Sequence, residues 1–520
     1  MYTISKSKLF ISFFLASLVF IISTSTAKTE VFEVSNAGKL RKALEVSQSN
    51  GEIDNIILAA GNYNTGGNPF TYSAVPSENF GLNMSGAGID STKLSGSDKS
   101  AVLVIDTTAV VNDSGVYVSI DDLSIKEGSS AKNSDLAGGL TLLSNNGNIG
   151  IDDCSFDSNT GDSGGAYVET KGQISLTKSQ FTNNKSLTKD GGGASLTGKF
   201  VLITDCEFDS NSTVSSNSRG GGLSANAVET TLGESPAYGT IILNGNSFQN
   251  NKSEGHAGAS LSAKFGVELQ GNSFINNTAG KSGAAGVYVE TKNTDPGEAP
   301  DYPNKILTRF YSNLFNGNMS EGGPSGGAQI VSGQDVIGVN NIFVGNKASS
   351  SAGAYLRSQG VTFSNNTITL NSASGSEDSN GGGISFIIAK ESTADIYNNI
   401  VFNNSASGNG GDIYINDDLE SNNKGAVVNL VANDFKNIYS ICKQTPSCVS
   451  NIKEKDNIDK DPLFVNANSR NLNLSKGSPA IQTGSPDAPE LPSSDFAGNP
   501  VDDDKPDMGA LQFVNGNSEN

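Results

Sequence analysis

Hydrophobic residues in the middle of the chain fall at every second position in short runs, and the runs recur. Aligned, QISLTKSQF (173–181), FVLITDCEF (200–208), TIILNGNSF (240–248) and GVELQGNSF (266–274) put Ile174, Val201, Ile241 and Val267 in one column. Leu176, Ile203, Leu243 and Leu269 form a second column two positions on. A period of two marks a strand with one buried face. After a polar run and a glycine cluster the alternation returns, as Ala166 and Val168, Ala194 and Leu196, or Ala259 and Leu261. Each unit therefore predicts two or three short strands separated by tight corners.

An aromatic residue closes each aligned run, followed by Asn three places on and then by small residues, as in FTNNKSLTKDGGGASL from Phe181. The motif begins at Phe156, Phe181, Phe208, Phe248, Phe274, Phe315 and Phe343, and in weaker form at Ile368 and Val401, in steps of 25, 27, 40, 26, 41, 28, 25 and 33 residues. One such unit cannot bury its apolar face alone. Stacking the next unit about 4.8 Å away buries that face and pairs every strand. The expected fold is all-β, a right-handed, single-stranded parallel β-helix in which Phe181 stacks between Phe156 and Phe208. Asn184 would sit at a corner where side-chain amides of successive coils form a ladder. A second ladder is expected two places before the aromatic, at Asn246, Asn272, Asn313, Asn341, Asn366 and Asn399. The glycines mark a corner that needs positive φ or close approach of coils. Asn184 and Asn318 also fit glycosylation sequons, NKS and NMS, which is the competing reading of these positions.

The 520 residues carry 60 glycines, no tryptophan, one histidine and a formal net charge of −20. Such an acidic balance argues against nucleic acid or an acidic polysaccharide as partner and favours cations or a basic partner. Four cysteines in a chain of this length make no disulfide scaffold. Cys154 and Cys206 occupy the second Asn column two coils apart, roughly 9.6 Å, which exceeds the roughly 7 Å limit for bridging. They are expected as buried free thiols, whereas Cys442 and Cys448, in CKQTPSC, can close a small disulfide loop.

The first 27 residues combine lysines, an apolar run from Leu9 to Ile22 and small residues up to Ala27, the pattern of a cleaved secretory signal peptide. The run is short for a membrane span, and no transmembrane segment is expected in the mature chain. A cap and first coils would follow over 28–125, repeated coils over 126–415, further coils and a distinct C-terminal segment over 416–513, and a disordered tail over 514–520.

The repeats over 152–415 resemble those of polymorphic outer membrane proteins and of the wider pectate-lyase-like β-helix superfamily. Residues 40–63 and 85–96 are similar to the amphipathic cap helix and first coils of that superfamily. Residues 461–513, through Asp461-Pro462, Gly477-Ser478-Pro479-Ala480 and Asp507-Met508-Gly509-Ala510, resemble the C-terminal segment of bacterial β-helix proteins of the choice-of-anchor Q group. The resemblance implies a short capping helix ahead of the coils and a secreted or surface-associated protein. The chain ends at FVNGNSEN without the barrel of autotransporter-like relatives, so attachment through a barrel of its own is not expected.

Enzymes of that superfamily use Asp-bound calcium with a base, or paired carboxylates. The acids that answer to this pattern are Asp152, Asp153, Asp157, Asp205 and Asp209, of which Asp157 and Asp209 share a column broken by Thr182. Arg219, Arg309 and Arg357 are scattered, and His256 falls where other copies carry Gly, a position expected at a rim. DDDKPD (502–507) resembles a calcium ligand run within the C-terminal turn, so calcium is the one cofactor the sequence suggests. The long steps arise from VETTLGESPAY (228–238) and VETKNTDPGEAPDYPNK (289–305), two insertions at the same corner. Glu229, Glu234, Asp295, Glu298 and Asp301 would make them acidic walls beside a binding face. A non-catalytic, adhesin-like interaction protein that binds a glycan or a cell-surface protein is the expectation. A polysaccharide lyase or glycoside hydrolase is the alternative.

Overall fold

A computed structural model describes residues 28–111, 116–216, 218–228, 239–281, 283–292, 308–375, 379–389, 391–419, 424–444 and 449–514. The expected signal peptide and nearly all of the expected tail lie outside them. The chain winds as a right-handed parallel β-helix. Its strands stack into four parallel sheets that comprise, among the described residues, fifteen, thirteen, thirteen and nine strands. One coil shows the plan. Ala166–Glu169 lies in the second stack, Gln173–Thr177 in the first, Gln180–Thr182 in the third and Lys185–Ser186 in the fourth, after which Ala194–Gly198 re-enters the second.

The fourth strand exceeds the two or three expected per coil. It is two residues long and faces inward only through small side chains such as Ser186, Ala279 and Ala348, so it has no periodicity to read.

Register follows the sequence columns. Ile174 pairs with Val201, Val201 with Ile241 and Ile241 with Val267, with Leu176, Ile203, Leu243 and Leu269 in step. Phe181 lies between Phe156 and Phe208 with ring centroids 4.6 and 4.8 Å away and nearly parallel planes. The stack continues through Phe248, Phe274, Phe315 and Phe343. These fully buried rings fill the interior along the axis and supply much of the apolar burial.

Two corners of each coil are built alike. A single left-handed residue turns the chain, and the residue after it points inward. Lys178 (φ 45°) precedes Ser179 and Gly245 (φ 69°) precedes Asn246 at one corner. Asn183 (φ 57°) precedes Asn184 and Asn250 (φ 54°) precedes Asn251 at the other. The inward Asn side chains form two ladders. Asn272 Nδ2 and backbone N both donate to Asn313 Oδ1 at 3.0 Å, and Nδ2 also donates to the Leu243 carbonyl at 2.9 Å. The same pattern links Asn246, Asn272, Asn313, Asn341, Asn366, Asn399 and Asn433. The second ladder runs from Asn159 through Asn184 and Asn318 to Asn404, where Asp412 Oδ1 accepts the last amide. Each buried amide has both donor and acceptor partners, which is what makes a polar column tolerable inside a solenoid. Asn184 and Asn318 are fully buried, so neither is open to glycosylation in the folded chain.

Thiols and a hydroxyl replace amides at the start of the first ladder. Cys154 N donates to Ser179 Oγ, Ser179 N to Cys206 Sγ and Cys206 N to Asn246 Oδ1. Both cysteines are free and buried. Cys442 is disulfide-bonded, while Cys448 lies outside the described residues.

The glycine corner is mainly a matter of close approach. A Cβ on Gly165 would come within 2.5 Å of the Gly193 carbonyl oxygen, and one on Gly193 within 2.5 Å of that of Gly222.

A helix caps the N-terminal end, and the C-terminal segment covers one side. The helix Ala37–Ser47, with Asn36 accepting from Lys39 N as its N-cap, lays Leu40, Ala43 and Leu44 on the first coils. At the other end the chain turns back along the outside of the third stack through the hairpin Phe464–Asn466 and Asn471–Leu474. Leu472, Ala510 and Leu511 pack there on Leu314, Ile342 and Val344, and Leu474, Ala480 and Met508 on Ile400. Asp507 accepts from Gln482 N and Phe513 N, and Asp502 from Asp504 N and Lys505 N, so two acids of the DDDKPD run hold turns.

Candidate functional site

The insertions leave the corner between the second and first stacks. Leu223–Ala227 pairs with Ala259–Ala263, which pairs with Val287–Thr291, so the two departures stand two coils apart in register. The coil between them turns through Lys264 and Phe265 alone before Gly266–Gln270 begins. Phe265 is buried against Gly239, whose φ of 77° brings the chain back from the first insertion. Glu229, Glu234, Asp295, Glu298 and Asp301 lie outside the described residues; what the fold fixes is where their loops begin and end.

The surfaces flanking this corner carry charge and aromatic groups. On the first stack Glu268 and Arg309 face outward on adjacent strands, and burial pushes the Glu268 carboxyl up while Arg309 draws it down. On the second stack Tyr288, Gln329 and Tyr355 follow one another in one outward column, with Glu290, Val331 and Arg357 in the column beside it. His256 is the correction here. It is buried rather than at a rim, accepts Ala284 N on Nδ1 at 3.0 Å and lies face to face with Tyr288 at 4.0 Å. Burial, helped by Arg219, lowers its pKa to about 3, so the ring is a neutral packing element. Its replacement of a glycine concealed this, because the slot beside Tyr288 is made by the neighbouring coil.

The acids with enzyme-like spacing lie elsewhere. Asp152 follows Asp121 at the outer end of the first stack and accepts Thr177 Oγ1 at 2.6 Å, and Asp153 is the left-handed corner residue after it. Asp157 accepts from Ser158 Oγ, and Asp209 from Ser210 Oγ and Asn250 Nδ2, each as an outer turn residue. Asp205 occupies the same left-handed corner two coils beyond Asp153. Burial raises the pKa of Asp122, with Asp121, Asp153 and Asp152 adding to it and Lys178 opposing. Among the described residues no group of three or more His, Cys, Asp or Glu side chains is arranged to hold a metal ion, and no helix is long and apolar enough to cross a membrane.

No family model and no curated protein matches this sequence.

Proposed function

We propose that this chain is an exported, non-catalytic interaction protein of adhesin type, secreted or held at a cell surface, that binds its partner beside the corner from which the two insertions leave. One observation carries the reading: both insertions depart at the same corner, on either side of a coil that makes the turn in two residues. Loops grown on one side of a regular scaffold are where solenoids place recognition. Outward Tyr288 and Tyr355 beside the corner add the amphipathic rings common at binding surfaces. The acidic insertions and the net charge of −20 favour a basic protein patch or a cation-bearing glycan over any polyanion. The apolar run before Ala27 and the resemblance of the repeats to polymorphic outer membrane protein repeats support export.

The test is deletion of 229–238 and 293–307 together, followed by circular dichroism and a binding array of glycans and cell-surface proteins. Retained β signal with lost binding is the expected result, with wild-type affinity falling as salt rises. Unchanged binding overturns the reading. Release of unsaturated or reducing sugar ends by the wild-type protein would replace it with a polysaccharide lyase or hydrolase.

A further inference from the structure

The turn that joins the cap helix to the first coil holds more buried oxygen than it has partners for. Asn50 Nδ2 donates to Glu30 Oε2 at 2.8 Å and to Asp54 Oδ1 at 2.7 Å, and the next amide, Gly51 N, donates to Glu78 Oε2 at 2.8 Å. All three carboxylates are thereby tied to one dipeptide. Asp54 Oδ2, Glu78 Oε1 and the hydroxyl of Ser47 are left inaccessible to water and without a hydrogen-bond partner. The three residues are 0%, 2% and 0% exposed. They come from three elements: Ser47 ends the cap helix, Asp54 lies in the strand Ile53–Leu58, and Glu78 in the loop ahead of the strand Leu82–Ser85.

No basic side chain of the cap is seen to offset them. Arg41 donates to the carbonyls of Thr65, Asn68 and Pro69 and lies over Phe70, Lys28 pairs with Glu52, Lys42 pairs with Glu45, and Lys39 is exposed. Burial, with Glu78 and Glu30 nearby, pushes Asp54 up to about 6 against the opposing pull of Asn50 and Ser47. A buried carboxylate without compensation costs several kcal/mol, and an unmade hydroxyl bond adds to that. The Ser47 hydroxyl stands close enough to Asp54 to draw its pKa down, yet its oxygen is buried and makes no well-formed hydrogen bond of its own.

We propose that Asp54 Oδ2, Glu78 Oε1 and Ser47 Oγ together bind one hard cation of the calcium class, which pins the cap helix to the first coil. Such ions take oxygen ligands of this kind from carboxylates and neutral groups. The site is separate from the insertion corner and does not depend on the function proposed there.

The probe is Ca2+ added to the chelator-treated chain, with hydrogen exchange of residues 37–58 as the local readout, because so acidic a surface also takes up calcium diffusely. Wild type is expected to show at least tenfold slower exchange over this stretch at saturating Ca2+, with Mg2+ less effective. Ser47→Ala, which keeps both carboxylates, is expected to weaken the Ca2+ response at least tenfold, and Asp54→Asn to remove it. An equal response in wild type and both variants overturns the proposal as diffuse binding. Protection that depends on acidification and not on Ca2+ overturns it in favour of a proton held by the pair. Should Asp54→Asn fail to fold, Ser47→Ala alone decides.

Discussion

The third stack keeps one inward column from end to end, but its outward column changes character half-way. In register, that column reads Ser155, Gln180, Glu207 and Ser247 in the earlier coils, passes through Ser273, and continues as Leu314, Ile342, Thr367, Ile400 and Asp434 in the later ones. Gln180 and Glu207 stand in solvent, whereas every member of the later set is buried. The difference is the returning C-terminal segment, which covers only the later coils. The coil geometry is common to both regions, so the outward residues record what lies over the strand and not how the strand folds. Side chains of the coils also hold backbone groups of the covering segment: Asn398 Nδ2 donates to the Ser485 carbonyl and its Oδ1 accepts Ser485 N, Ser364 Oγ donates to the Pro489 carbonyl, and Asn340 Nδ2 to that of Ser494. Arg470 rests over Gly317 and Gly345, left-handed corners where a side chain would meet its guanidinium.

The sharpest way to break this comparison is to place a charge in each region. Ile342→Asp loses an apolar side chain packed beneath Leu472 and Leu511 and buries a carboxylate, at an expected cost of about 3–5 kcal/mol in denaturant unfolding. Ser247→Asp, on the uncovered part of the same stack, should stay within about 0.5 kcal/mol of wild type. Equal losses at the two positions would mean that the segment contributes nothing to the later coils.

Asp434 tests the covering by pH. It occupies the same outward column as Glu207, yet it is fully buried, with one oxygen accepting Lys460 N and the other unpartnered. Burial pushes its pKa up to about 7, opposed by the Lys460 amide and reinforced by Asp459, Asp412 and Asp461. A folded-state pKa above the ordinary value of 3.8 means that the stabilising contribution is fully present below that value and is lost as pH rises through about 7. Unfolding free energy should therefore fall between about pH 4 and pH 7 by on the order of 2–4 kcal/mol. Asp434→Asn should flatten that limb of the profile, and an unchanged profile in this variant would remove Asp434 as its source.

The coils were legible in the sequence because their signal is local and repeated: Ile174, Val201, Ile241 and Val267 align by eye, and so do Phe156, Phe181 and Phe208. The covering was not legible for the opposite reason. In LFN (314–316) and IFV (342–344) the outward Leu314 and Ile342 adjoin the inward Phe315 and Phe343, so the pair reads as a run of core residues. The residues that bury the outward ones, Leu472 and Leu511, lie more than a hundred positions away. At the candidate site the sequence located the corner through its two long steps. The polar residues around that corner, Glu268, Arg309, Tyr288 and Gln329, belong to strands whose outward positions share no common residue type, so alignment of the repeats could not select them. The cap pocket was hidden because Ser47, Asp54 and Glu78 come from three unrelated elements.

The ladders run through both regions, which makes them the control. Asn272→Leu leaves the Asn246 amide without its acceptor and the Asn313 acceptor without its donor, and should cost about 1–3 kcal/mol. Asn211→Leu, under an uncovered outer face, and Asn346→Leu, under a covered one, should cost the same within error, because each side chain accepts from one neighbouring Asn and donates to the next. A larger loss at Asn346, read from denaturant midpoints at constant slope, would show that the covering stiffens the coil interior as well as the face.

The smallest effect is expected where the uncovered column is made to imitate the covered one. Glu207 stands outward between Gln180 and Ser247 and is exposed. Glu207→Leu neither opens a cavity nor breaks a ladder bond, so its unfolding free energy should differ from wild type by no more than about 0.5 kcal/mol. Adding Gln180→Leu would put two leucines about 4.8 Å apart on a flat strand face, the start of a patch like that of Leu314 and Ile342 but with no segment over it. Stability should again be nearly unchanged, while sedimentation should show concentration-dependent association absent from wild type. A stability gain comparable to the loss in Ile342→Asp would show that the apolar column strengthens the coil by itself, and its coincidence with the C-terminal segment would need another cause.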